Sequence, residues 1–276
     1  MKTLTYLLVL SLLSINTLKA DEWMRSLENA KIMAISTNKL ILVDFWAVWC
    51  GPCKLMDRDT WSHKEVQLLM ENFVPLKIDI DINRGLAKQY SIKGIPYIFI
   101  LDGNGKVLFK NIGYLSKHKV ISLLTKYQTN TSFLLNELAH YHQQQSFTTA
   151  FQLGSKYQDF SLYVNDDIKR DFLNLSSQYF KEAKRLLKKE KNLNKTVFRQ
   201  RLKLFKIQED VILGKTQKAL NALDKLDRSK IEKINTSFFN FLTYSCYVLN
   251  GDAKSANELK GKITERELKK VGLFQK

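Results

Sequence analysis

Two cysteines separated by two residues stand at the end of a strongly apolar segment, and this feature constrains the fold more than any other in the chain. Lys39–Val48 is a near-continuous apolar run interrupted by Asp44, which is typical of a buried strand. Pro52 follows closely, and proline is favoured in the first turn of a helix. The pattern predicts a strand that turns into a helix, with Cys50 at the helix N-terminus and Cys53 one turn further in.

The cysteines also restrict the chemistry. The chain has only three of them, which excludes a small fold held together by several disulfides. A pair with this spacing is either a redox-active dithiol or half of a metal site. Zinc would need two further thiolate or imidazole ligands, and His63 is the only histidine near the pair in sequence, so we expect no metal. The third cysteine, Cys246, lies in an aromatic stretch and is predicted to be a small buried residue.

Strand and helix patterns alternate around this pair. The predicted segments are a helix at 22–37, a strand at 39–48, a helix from Cys53 to about Met70, a strand at 74–80, a helix at 83–90, strands at 97–101 and 106–109, and a helix at 116–127. Asp102–Gly105, between the last two strands, is typical of a tight hairpin. The predicted fold class is an α/β domain with a mixed sheet flanked by helices on both faces.

The sequence changes character near residue 130. From Thr131 onward the strand pattern is lost and glycine and proline are rare, so we predict an α/β domain over 21–128 and an all-helical domain over 129–276. Alanines recur in the second part at intervals near the roughly 34-residue period of helix-turn-helix repeats. They are Ala150, Ala183, Ala219 and Ala256. The segments that begin at Gly214 and Gly251 partly resemble tetratricopeptide repeats, and a helical bundle without repeats is the alternative.

The stretch Val43–Lys54 resembles the active-site segment of thioredoxin. The resemblance covers about residues 22–127. It includes Lys77 on the following strand, the Gly94–Pro96 segment, which has the form of the family's cis-proline loop, and Ile112–Lys117, which is similar to its last loop and helix start. Many thioredoxins have a proline where Arg58 stands, and the segment around Arg58 is more similar to the thioredoxin-like domains of periplasmic disulfide-interchange reductases.

The catalytic roles follow from the helix N-terminus and from the resemblance. Free backbone N–H groups and the helix dipole favour a thiolate at that position, so Cys50 is predicted to be the attacking sulfur. The more shielded Cys53 then resolves the mixed disulfide. The resemblance assigns to Asp44 the relay of the Cys53 proton, and to Lys77 the tuning of that carboxyl. The alternative for Asp44 and Lys77 is a buried pair with a structural role only.

A substrate-binding groove is expected beside the dithiol. Pro96 is predicted to follow a cis peptide bond, because such bonds are essentially confined to proline. The backbone of Ile95 is then free to pair with an extended substrate. The residues expected to bind substrate are Trp49, Gly51, Pro52, Ile95, Pro96 and Gly113. The alternative for Pro96 is an ordinary proline at the start of a strand.

The N-terminus has the layout of a secretory signal peptide over residues 1–20. Lys2 precedes an apolar run from Tyr6 to Ile15, and small Ala20 stands before two acidic residues. We therefore expect cleavage near Ala20 and a periplasmic or otherwise extracytoplasmic location. The alternative is an uncleaved N-terminal anchor, because Leu18 stands where signal peptides usually have a small residue.

The formal net charge of the chain is +17, and most of this excess lies beyond residue 128. A basic helical region can attract an acidic partner, whereas solvated helix faces are the alternative explanation. No nucleic-acid partner and no cofactor are expected.

Together these features predict an exported thiol–disulfide oxidoreductase that exchanges disulfides with protein or peptide substrates. It is expected to be a reductant, because Gly51, Pro52 and Ile95 supply no cationic or hydrogen-bonding side chain to hold a thiolate. An exported reductant needs a membrane electron donor. The alternative is an adaptor or chaperone-like binding protein that uses the helical domain, with the thioredoxin-like domain as a platform.

Overall fold

The computed structural model describes residues 23–275, so the predicted signal peptide lies outside the described residues. The strands are β1 (Leu40–Trp46), β2 (Phe73–Asp79), β3 (Tyr97–Leu101) and β4 (Val107–Ile112). The helices of the α/β part are α1 (Leu27–Thr37), α2 (Gly51–Met56), α3 (Lys64–Met70), α4 (Arg84–Gln89) and α5 (Lys117–Tyr127). The later helices are α6 (Leu135–Gln143), α7 (Phe147–Phe160), α8 (Asp166–Leu187), α9 (Lys195–Ile212), α10 (Thr216–Asp224), α11 (Thr236–Leu249), α12 (Ala253–Lys260) and α13 (Glu265–Phe274).

The four strands form one mixed sheet in the order β2-β1-β3-β4. Strand β1 is parallel to β2 and antiparallel to β3, and β3 and β4 form the antiparallel hairpin. The hairpin turn is closed by Asp102, whose Oδ1 accepts hydrogen bonds from the backbone N–H groups of Asn104 and Lys106, at 3.0 and 2.8 Å. Gly105 takes the positive φ of 81° that this tight turn requires. The predicted mixed sheet flanked by helices is confirmed.

The prediction of one continuous helix from Cys53 to about Met70 is wrong. Helix α2 ends at Met56, a π-helical turn follows at Asp57–Trp61, and α3 begins only at Lys64. The chain breaks between these helices because His63 has an extended backbone, with φ of −69° and ψ of 129°. Periodicity of apolar residues could not reveal this break, since Met56 of α2 and Val66 of α3 are buried in the same core.

All regular secondary structure that the structure describes beyond residue 129 is helical, which confirms the predicted all-helical region. Gly214 and Gly251 have φ values of 70° and 77° in the turns before α10 and α12. The buried alanines follow early in these helices at Ala219 and Ala256, whereas Ala183 lies near the end of α8. The helix-turn-helix repeat therefore stays a prediction. Within residues 23–275, no helix has the length and apolar character that crossing a bilayer requires.

One apolar core runs from the sheet into the first helices of the C-terminal region. It contains Leu42 of β1, Tyr127 of α5 and Phe172 of α8, all fully or almost fully buried. A second core holds α9 to α13 together. The predicted division at residue 128 stays a prediction, but residues on the two sides of that position share a single packed interior.

A buried polar network joins the hairpin to the C-terminal helices. Asp102 is fully buried, and its Oδ2 accepts hydrogen bonds from the hydroxyl groups of Tyr157 in α7 and Tyr179 in α8, at 2.9 and 2.5 Å. Gln178 of α8 also donates to the backbone carbonyl of Val107 in β4, at 2.9 Å. These contacts fix α7 and α8 against the hairpin end of the sheet.

Candidate functional site

The two cysteines form a disulfide at the start of α2. Cys50 is the residue that caps this helix, and its Sγ accepts a hydrogen bond from the backbone N–H of Cys53 at 3.1 Å. Cys50 is 3% exposed and Cys53 is fully buried. The outer sulfur at a helix N-terminus and the inner sulfur one turn later are the positions that the sequence predicted for attack and for resolution.

The surroundings of the disulfide are largely apolar. Ala47 is buried beside the two cysteines, and Trp46, Ile80 and Ile95 pack against the same cluster. Arg58, two residues beyond α2, is exposed and donates to Asp59, with Nε 2.6 Å from Oδ1. The negative charge of a thiolate here is stabilised chiefly by the helix N-terminus rather than by a neighbouring cation.

A fully buried carboxylate lies on β1, leading toward the dithiol. Asp44 is directly opposite Lys77 of β2 in the parallel register, and the Lys77 Nζ is 3.6 Å from its Oδ2. Neither carboxylate oxygen accepts a hydrogen bond from the described residues. Burial, together with the smaller effect of the Asp57 charge, raises the pKa of Asp44 to about 6 against the lowering effect of Lys77. A carboxyl with this pKa exchanges protons near neutral pH, as a proton relay requires.

Asp57 is the residue of this site that the sequence analysis missed. It follows Cys53 by one helical turn, and its Oδ1 forms a close ion pair with the Lys77 ammonium. Lys77 thus lies between two carboxylates and also faces the Trp46 ring, with Nζ 5.0 Å from the ring centroid. The spacing of four residues after Cys53 was the available signal, because residues four apart share one face of a helix.

The π-helical turn at Asp57–Trp61 includes Arg58, the position where many thioredoxins have a proline. It directs Thr60 and Trp61 inward, where both are buried. The Thr60 hydroxyl donates to the backbone carbonyl of Leu115 at 2.9 Å, and the Trp61 ring packs edge-on against Trp23 with centroids 5.1 Å apart. Because a π-helical turn is wider than an α-helical turn, it distorts the helix without a proline.

The predicted proline loop faces the dithiol. The Ile95–Pro96 peptide bond is cis, as expected, and Ile95 belongs to the apolar cluster of the disulfide. The Gly113 N–H donates to the Pro96 carbonyl at 2.8 Å, which joins the two loops. Gly113 has a φ of 93°, a conformation that favours glycine. The structure therefore brings Ile95, Pro96 and Gly113 together beside the cysteines.

Exposed apolar side chains surround this position. Trp49 is 66% exposed, directly before Cys50, and its Nε1 donates to Asp81 Oδ2 at 2.8 Å. Ile112 and Tyr114, on either side of the Gly113 position, are also exposed. Gly51 and Pro52 are exposed as well, so all six predicted substrate-binding residues lie in or next to one surface around the dithiol.

Comparison with known proteins agrees with this geometry. A family model described as a thioredoxin-like domain matches residues 27–128. Thioredoxin of Mycoplasmoides gallisepticum is 34% identical over 90 residues, which are 33% of this chain and 86% of that protein. The chain belongs to the thioredoxin-like family. Thioredoxin of Chlamydia trachomatis is 37% identical over 89 residues, which are 32% of this chain and 83% of that protein.

A solved structure matches a similar share of the thioredoxin-like chain. The oxidised C-terminal domain of Neisseria meningitidis DsbD is 26% identical, with a TM-score of 0.34, and the match covers 38% of this chain and 99% of that domain. At the level of the family, the family model and the two thioredoxins support a thiol–disulfide oxidoreductase. In residues 23–275, no group of three or more histidine, cysteine or acidic side chains is arranged to hold a metal ion.

Proposed function

We propose that this thioredoxin-like protein is an exported thiol–disulfide oxidoreductase that reduces disulfide bonds in protein substrates. The observation that carries the proposal is the position of Cys50, at the start of α2, beside the cis-proline loop and directly after exposed Trp49. An extended peptide with a disulfide can lie across such a surface and pair with the backbone of Ile95.

The reaction starts from the reduced dithiol. The Cys50 thiolate attacks one sulfur of the substrate disulfide, which forms a mixed disulfide and releases the other substrate sulfur as a thiolate. Cys53 then loses its proton and attacks Cys50, which releases the second substrate sulfur. Two electrons pass to the substrate, and the dithiol becomes the Cys50–Cys53 disulfide. Asp44, with a pKa of about 6, is the residue proposed to accept the Cys53 proton.

The proposal that the protein reduces its substrates rests on the weak stabilisation of the Cys50 thiolate. Strong oxidants of this fold have an unusually stable thiolate, which favours their reduced form. Here Gly51 and Pro52 separate the cysteines, and the neighbouring Ile95 has no polar side chain. A reductant is used up after one turnover, so an electron donor must restore the dithiol. For an exported protein we propose a membrane donor.

Reduction of insulin by dithiothreitol, followed as turbidity, tests the enzymatic proposal. Cys50→Ser should abolish the acceleration because it removes the nucleophile. In a separate incubation of reduced protein with a disulfide substrate and no dithiothreitol, Cys53→Ala should accumulate mixed disulfides, which gel electrophoresis without reductant detects. Cys246→Ser is the matched control, because this thiol is buried in α11 and its pKa is raised to about 12. Wild-type turnover by the Cys50 variant would leave the adaptor as the better explanation.

The reduction potential tests the direction. Equilibration of the purified protein with glutathione buffers should give a value nearer about −270 mV than about −120 mV, the two ends of the range for this fold. A potential above about −150 mV would refute a reductant.

Export is tested separately, by mass spectrometry of the protein from the periplasmic fraction. We expect a mature chain that begins after Ala20, and an intact Met1 in the cytoplasm would contradict export.

A further inference from the structure

A groove between α8 and α9 lies outside the dithiol site. Its volume is about 610 Å³, and it is open to solvent along one side. Phe180 of α8 and Leu202 of α9 are half-buried and form the apolar part of its wall. This volume is in the range of pockets that bind a few side chains or a small ligand.

Positive charges surround the groove on both helices. Lys181 and Lys184 of α8 and Arg199 and Lys203 of α9 are exposed and line it. Within residues 23–275, none of these four cations has a carboxylate within 4.0 Å. The acidic side chain in the wall, Glu209, is already paired: its Oε1 is 2.7 Å from the Nζ of Lys206, and its Oε2 accepts from Ser177. The groove therefore presents a net positive rim.

The positive surface continues over α8 to its other side. A second groove of about 530 Å³ shares Lys181 and Lys184 and adds Lys106, Arg185 and Lys188. Glu182 in this wall is paired with Arg185. From residue 181 to residue 188 the helix rises about 10 Å, so the cations form a row rather than a single point of charge.

We propose that this α8–α9 groove binds an acidic, amphipathic peptide segment of a partner protein. A peptide helix can place apolar side chains against Phe180 and Leu202 while carboxylates on its flanks meet the two rows of cations. The distribution of charge favours this occupant over an anionic lipid headgroup, because one headgroup needs a compact cluster and these cations are spread along two helices. Charge complementarity supplies both orientation and fast association.

The groove and the dithiol lie at different ends of the thioredoxin-like sheet. Strand β3 begins beside Pro96 at the dithiol end, and its last residues lead into the hairpin that contacts α7 and α8. A partner in the groove therefore leaves the dithiol open. The inference does not depend on the proposed redox function, because each surface can be tested without the other.

Fluorescence anisotropy with a labelled synthetic peptide tests the proposal on the full chain. The probe is a helical peptide of glutamate and leucine with leucines on one face, and its glutamine counterpart is the uncharged comparison. The double substitution Lys184→Glu and Lys203→Glu should weaken binding about tenfold or more, because it places like charges against the peptide. Lys254→Glu with Lys262→Glu is the matched control, since both are exposed lysines of the helical region outside the groove.

Separate measurements test the apolar wall of the groove and the competing occupant, an anionic lipid. Leu202→Gln should also weaken binding, and added salt should weaken it further because it screens exposed charges. Insulin reduction should be unchanged in all these variants. Equal loss of affinity in the control pair, or equal binding of the glutamine peptide, would overturn the proposal. So would groove-dependent binding of phosphatidylglycerol vesicles by a protein that does not bind the acidic peptide.

Discussion

Replacing Asp44 by asparagine should stabilise the protein above neutral pH, although it removes a charged residue from the site. The carboxyl is fully buried with a pKa of about 6, compared with 3.8 for an unperturbed aspartate. Each tenfold change in proton affinity corresponds to about 1.4 kcal/mol, so ionised Asp44 costs the folded state about 3 kcal/mol once the pH exceeds both values. Lys77 is not left unpaired by the substitution, because Asp57 also holds its ammonium.

The pH dependence gives the sign of this effect. Between about pH 4 and pH 6 the folded chain binds more protons at Asp44 than the unfolded chain, so the free energy of unfolding of the wild type falls as pH rises. Below this window Asp44 is protonated in both the folded and the unfolded state. Above it Asp44 is ionised in both states, and the free-energy cost of its buried charge no longer changes with pH. Asp44→Asn should lack this fall. Its advantage over the wild type should grow from near zero at about pH 4 to about 3 kcal/mol at about pH 8.

Urea unfolding of the oxidised proteins across this pH range measures the difference. Asp59→Asn is the matched control: this carboxylate is exposed, and its neighbour Arg58 lowers its pKa, so it titrates below the window. Asp44→Asn should also slow insulin reduction without unfolding the protein, because only the proton relay is lost. Parallel wild-type and Asp44→Asn curves, or a less stable variant at about pH 8, would refute the reasoning.

Two further substitutions test the hairpin contacts and the contacts around the dithiol site. Tyr157→Phe removes a hydrogen bond from buried Asp102 and should lower the free energy of unfolding, measured with urea, by about 1–3 kcal/mol. Tyr163→Phe, at an exposed position, is the control and should have little effect. Equal effects of the two substitutions would contradict a stabilising role for the Asp102 hydrogen bonds. Asp57→Asn removes a negative charge that raises the pKa of Asp44, so the pH profile of insulin reduction should shift to lower pH, and an unchanged profile would contradict this coupling.

The dithiol site was predictable because its determinants are local. The apolar run of β1, Pro52 and the two cysteines are close in sequence, and each has a strong conformational preference. The resemblance to thioredoxin implied a role for Lys77 beside Asp44, and β1 and β2 place the two residues opposite each other. Asp57 was missed because its contact is with a lysine 20 residues away in the sequence.

The packing of the helical region could not be predicted from the sequence. Its helices are visible in the sequence, but their packing depends on contacts between distant residues. The sequence places Asp102 in a predicted hairpin turn, and its hydrogen bonds to backbone N–H groups within the hairpin agree with that role. Its bonds to Tyr157 and Tyr179 join residues that are 55 and 77 positions apart. The α8–α9 groove likewise exists only once these helices pack together, so the excess of positive charge alone could not locate it.

The Asp102 network determines how the two surfaces of the protein are related. Because the hairpin lies at the end of the sheet away from Pro96, attachment of α7 and α8 there leaves the apolar surface around Cys50 uncovered. The core that runs from the sheet into α7 and α8 then packs the α8 wall of the basic groove against the thioredoxin-like domain. A partner bound in the groove would sit at a distance from Cys50 that this packing sets. Any gain in exchange with that partner would therefore depend on whether its disulfide can span this distance, since a tether that cannot reach gives no effective concentration.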